Sequence, residues 1–120
     1  IGFERDSAVP FKVASILPHG YLKRLEMGRV IALQSELIVF DELYSGLTLA
    51  EVASLSPMIE KLVDEGKTII MVEHRLKELF KIANKVIVLD QGKKIAEGEP
   101  KNIMKDPEVK KAYLGVELKQ

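Results

Sequence analysis

Three five-residue stretches, each with four apolar residues in a row, set the pattern of this chain: LIVFD at residues 37–41, TIIMV at 68–72 and VIVLD at 86–90. Each is short, rich in β-branched residues and bounded by polar ones. The pattern predicts strands at all three places, the first two buried. Between them the period lengthens. Residues 48–65 put Val52, Leu55, Ile59, Leu62 and Val63 on one helical face. Pro57 falls inside that stretch, so a kink is expected, or two short helices with Ser56 capping the second. Gly66 sits where a helix C-cap belongs. Residues 21–34 carry Leu22, Leu25, Ile31, Ala32 and Leu33 among charges, a helical reading weakened by Gly28. Leu76, Leu79, Phe80 and Ala83 mark a short amphipathic helix.

After the third run, Gln91-Gly92 predicts a tight turn into Lys94 to Glu97, closing a hairpin. Pro100 and Pro107 each suit the first position of a short helix, the last ending near Tyr113-Leu114-Gly115. Residues 1–16 show no clear period and read as a loop or a poorly supported helix. Strands alternating with helices imply an α/β fold with a parallel sheet and right-handed crossovers. Ligands gather at the carboxyl ends of such strands. Asp41, Glu42, Glu73 and His74 all fall there.

Composition narrows the classes. The chain has 120 residues, 47% apolar and 30% charged, which suits one globular domain with a modest core. Eighteen basic residues balance eighteen acidic ones, so nucleic-acid binding through bulk charge is not expected. Cysteine is absent, which excludes a disulfide framework and a thiolate metal site. No apolar run approaches the roughly 20 residues needed to span a bilayer, and no secretory leader is recognisable. A soluble intracellular protein without direct membrane insertion is the expectation.

The strand ends carry the candidate chemistry. A strand holds its last residue rigidly, and the next one swings clear of the sheet. One carboxylate could then fix a magnesium ion through its waters, while its neighbour orients or deprotonates an attacking water. Phosphoryl transfer needs both. A solvated acidic turn is the plainer reading of Asp41-Glu42 alone, and a structural hydrogen bond the plainer reading of His74 alone. One crossover apart on adjacent parallel strands, His74 would lie beside Glu42, where an imidazole could touch a phosphate oxygen or the attacking water. The stretch LPHGY, residues 17–21, makes a tight turn into a helix N-terminus, which suits an anion. An ordinary helix start explains it equally well.

The segments LPHGYLKRLEMGRVIAL, ELIVFDE, SGL, TIIMVEH, VIVLDQGKKIAEGEP and DPEVKKAYLG follow one another in the order and spacing of the carboxyl-terminal half of an ABC transporter ATPase. The tail most resembles the branched-chain amino acid and lipopolysaccharide-export type. The resemblance implies the parallel-sheet portion of a P-loop NTPase domain, with a C-terminal hairpin and short helices, over residues 17–120. Leu17, Pro18, His19, Gly20 and Tyr21 resemble the signature loop, which caps ATP held by the opposite subunit. Asp41 matches the magnesium-side carboxylate of the Walker B strand, Glu42 the catalytic glutamate and His74 the switch histidine. Ser45 and Gly46 resemble the D-loop. The implied cofactors of the complete protein are ATP and Mg2+. The implied partners are a second ATPase subunit, identical or not, and a membrane permease that would hold the protein at the inner face of the cell membrane.

The residues also depart from the family pattern. They contain no G-x-x-x-x-G-K-[ST] loop to hold the β- and γ-phosphates, so this chain by itself is expected neither to bind nucleotide tightly nor to hydrolyse it. Pro18-His19-Gly20-Tyr21 stands where Ser-Gly-Gly-Gln is usual. Leu43 replaces a common proline, and Thr48 replaces the D-loop aspartate. Two readings follow: part of an ATPase subunit that drives transport when complete, or a stand-alone accessory chain that keeps the fold without the reaction. A sheet taken from a larger sheet should leave a bare strand edge and an uncovered apolar face.

Overall fold

A computed structural model describes residues 8 to 114. Residues 1–7 of the segment expected as loop or weak helix, and Gly115, lie outside the described residues. What is described before Pro18 is two short 3-10 turns, Val9–Phe11 and Ala14–Ile16. The chain divides into two compact units, meeting in sequence between Arg75 and Leu76.

In the first unit, helix α1 (His19–Leu33) leads to β1 (Leu37–Asp41), α2 (Leu49–Asp64) and β2 (Thr68–Val72). Helix α1 starts two residues before its apolar pattern does, because Pro18 takes the N-cap with an extended ψ of 151°. Gln34 ends it in the left-handed conformation. Strands β1 and β2 pair in parallel, Val39 opposite Ile70 and Asp41 opposite Val72. All three expected strands have the predicted bounds.

Helix α2 corrects one of the two alternatives expected at Pro57, that of two short helices. It runs unbroken through Pro57, and Ser56 caps nothing. Instead the Ser56 hydroxyl donates to the Val52 carbonyl one turn back, at 3.1 Å. The proline removes one donor, and the carbonyl it leaves unpaired belongs to Ala53, on the exposed side of the helix where water can reach it. The helix starts at a capping box. Thr48 Oγ1 accepts the Glu51 amide, and Glu51 Oε2 accepts the Thr48 amide at 2.8 Å. Gly66, with φ of 87°, follows its end as expected.

Burial corrects another expectation. Ile38 and Phe40 point into the core with Met27, Leu55 and Ile59. The opposite face of the strand pair is open: Leu37, Val39, Ile70 and Val72 are each at least half exposed. An apolar run is buried on both faces only when layers lie on both sides, and here helices of the unit cover one.

The second unit holds α3 (Leu76–Ile82) and a hairpin of β3 (Val86–Asp90) and β4 (Lys93–Gly98). Gln91 and Gly92 both have positive φ, 46° and 77°, the geometry of a type I′ turn. The register slips between Val88 and Leu89, which leaves Ile95 as the extra residue of a bulge. Two helical turns led by proline follow, α4 (Pro100–Ile103) and α5 (Pro107–Val109), the second running into a π-turn at Lys110–Leu114. Val86, Val88, Ile103 and Val109 form this unit's core.

Candidate functional site

Four residues meet at the carboxyl ends of β1 and β2. Asp41 is the last residue of β1 and is exposed. Its successor Glu42 leaves the strand with φ of 51° while its amide donates to the Val72 carbonyl at 2.8 Å. The bond keeps Glu42 on the sheet edge, and the left-handed φ turns the chain out of the strand. His74 Nε2 lies 2.9 Å from Glu42 Oε1. A carboxylate only accepts, so Nε2 carries the proton and donates. Both side chains are open to solvent.

Glu73 precedes His74 at the end of β2. Its Oε1 accepts the Tyr44 amide at 2.7 Å. Burial pushes its carboxyl above the usual range, the Tyr44 amide opposes that, and the negative Glu42 adds to the rise.

The turn after Glu42 is tightly built. The Ser45 amide donates to the Glu42 carbonyl at 3.0 Å, and Leu43, Tyr44 and Leu47 are buried under it. Gly46 has φ of 73°, and a side chain there would begin 3.0 Å from the His19 ring. His19 Nε2 donates to the Ser45 carbonyl at 3.0 Å. Beside it, a Cβ on Gly20 would collide with Glu51 Oε1. One turn further along α1, Arg24 donates to Ser54 Oγ on α2 at 2.8 Å.

The structure therefore brings His19 to Ser45 and Gly46, Gly20 to Glu51, and His74 to Glu42. Leu17 and Tyr21 are half-buried and Pro18 is exposed, with the Pro18 carbonyl accepting the Tyr21 amide that opens α1. Sequence reasoning assigned no role to Glu73, Tyr44 or Glu51. Glu51 had a signal, since Thr48-x-x-Glu51 is the capping-box pattern. Its carboxyl is held below the usual range, first by the Thr48 amide and then by the Thr48 hydroxyl. Among the described residues, no group of three or more His, Asp or Glu side chains could hold a metal ion.

Residues 93–119 match the family model described as the branched-chain amino acid ATP-binding cassette transporter. The chain is 35% identical over 103 residues to the high-affinity branched-chain amino acid transport ATP-binding protein BraF of Pseudomonas aeruginosa, covering 85% of this chain and 40% of that protein. It is 30% identical, also over 103 residues, to the lipopolysaccharide export system ATP-binding protein LptB of Escherichia coli, covering 86% and 43%. Among solved structures, the ADP conformation of an ATP-binding cassette of an ABC transporter superposes with a TM-score of 0.75 at 31% identity, covering 83% of this chain and 41% of that one. The chain thus spans about two fifths of the length of these relatives. Over most of its length the chain is thus similar, in sequence and in fold, to a carboxyl-terminal portion of the ATP-binding subunits of ABC transporters.

Proposed function

We propose that the complete protein containing this chain binds and hydrolyses ATP between two ATPase subunits and so drives transport through a membrane permease. The observation that carries this reading is the contact of His74 with Glu42 at adjacent strand ends, one residue beyond Asp41. Glu42 is the general base: its carboxylate, clear of the strand, orients the attacking water and accepts its proton. His74 holds that carboxylate by donating from Nε2, and it turns to the γ-phosphate side when nucleotide is present. The turn of Leu17 to Tyr21, tied by His19 to Ser45 and Gly46, meets nucleotide held by the partner subunit.

Magnesium typically takes one or two carboxylates together with substrate phosphates and several waters, and a lone exposed Asp41 fits that need. The ion would supply charge neutralisation on the phosphate oxygens. No helix among the described residues is long and apolar enough to cross a membrane. In this reading the protein is cytoplasmic and sits at the inner membrane face through its permease. The comparisons do not favour the alternative of a stand-alone accessory chain.

The test is Glu42→Gln in the complete protein. ATP turnover is expected to fall by about 10^2-fold or more, with ATP still bound, because loss of a general base costs that much. Turnover that survives the substitution would remove Glu42 from the reaction.

A further inference from the structure

Glu42 carries a side chain at a left-handed φ of 51°. A residue keeps such a conformation only when its neighbours over-determine it. Three hydrogen bonds do so here. The Glu42 amide donates to Val72, the Ser45 amide donates to Glu42, and the Tyr44 amide donates to Glu73 Oε1. The first two are main-chain bonds, independent of side-chain identity. The third, at 2.7 Å, rests on a single side chain from the neighbouring strand end. It acts on a residue whose ring is fully buried, so it fixes the turn and not merely a tip.

The placement of Glu73 works against its own charge. The carboxyl is half-buried, lies within electrostatic reach of the negative Glu42, which opposes its charge, and is pushed upward first by burial. Polar groups held at such expense cluster at working sites. We propose that Glu73 is a positioning residue for Glu42: its Oε1, fixed on the Tyr44 amide, sets the turn that aims the Glu42 carboxylate at His74 and at the attacking water. This rests on Glu42 being the catalytic base. It is the acceptor atom at that reach that matters, not the charge.

Three substitutions in the complete protein separate those possibilities. Glu73→Ala removes the acceptor, Glu73→Asp keeps the charge one methylene short, and Glu73→Gln keeps an acceptor oxygen at the same reach. For Ala and Asp, kcat is expected to fall about 10-fold or more, since small misplacement of a reacting group is costly. KM for ATP should stay within about twofold, as the interaction acts in the transition state. Gln should retain most of kcat. An unchanged kcat in Glu73→Ala, or equal losses in Gln and Ala, overturns the proposal.

The Tyr44 amide proton, followed by NMR in the same nucleotide-free proteins, reads the contact without turnover. It should move upfield in Ala and Asp and stay near its wild-type shift in Gln. An amide that does not move in either Ala or Asp overturns the proposal whatever the kinetics. Glu73→Asp serves where Glu73→Ala does not fold. Wild-type protein without ATP turnover would instead defeat the functional reading. The amide shift, with the His74 imidazole shift beside it, would still decide whether Glu73 sets the turn.

Discussion

Among the described residues, Gln34, Glu42 and Gln91 take positive φ, and they do so for different reasons. Gln34 ends a helix and Gln91 turns a hairpin, both ordinary places for a left-handed residue. Glu42 does neither. It turns the chain off a strand at the point where its carboxylate meets His74. Glycine matters most at position 20, where the missing Cβ lets Glu51 approach while its other oxygen caps α2. Gly20→Ala would displace that carboxylate and weaken the cap. Unfolding in urea should show a loss of about 1 kcal/mol. The loss should shrink when Glu51 has already been changed to alanine, since neighbouring effects do not add. Asp41, Glu42 and His74 were legible because each directly ends a strand or follows its end, and strand ends are readable from apolar runs. Glu73 was visible at such an end too, but its task was not. Its partner is the Tyr44 main-chain amide, and main-chain partners leave no mark in the residue sequence.

The elements were legible where one signal dominated. Strand bounds followed from apolar runs, and the hairpin from Gln91-Gly92. At Pro57 only the alternative of two short helices fails, because a proline's cost depends on whether the freed carbonyl meets water or protein. That is a property of the helix surface, not of the residue. The hairpin carries its own electrostatic support. Lys85 and Lys94 both pair with Glu97 and bring its carboxyl down to about 2. A carboxyl lowered on folding adds stability that is present above its unfolded value of about 4.5 and fades as pH falls through about 2. Melting temperatures of wild type and Glu97→Gln should therefore differ at pH 7 and converge towards pH 2. Salt should also narrow the gap, since these groups are exposed.

At the scale of the molecule, the open face of the first unit stands out. Leu37, Val39, Ile70 and Val72 form an apolar patch on a parallel strand pair, a kind of sheet normally covered on both sides. Strand periodicity tells which residues share a face, but not whether anything lies against it. The present chain on its own is expected to self-associate as concentration rises, read by sedimentation velocity. Val39→Lys with Ile70→Lys should reduce that association, whereas Lys61→Ala, on the exposed side of α2, should not.

Gly46 and His19 add a constraint of a different kind. A side chain at position 46 is strained, because the backbone there is left-handed and the imidazole, 3.0 Å from where a Cβ would begin, would have to shift. Position 19 meets no such barrier to becoming smaller. Mutational drift at this contact is therefore one-sided. Exchange at 19 is easier than exchange at 46, so a lineage that retools the turn meets less resistance by beginning at the histidine.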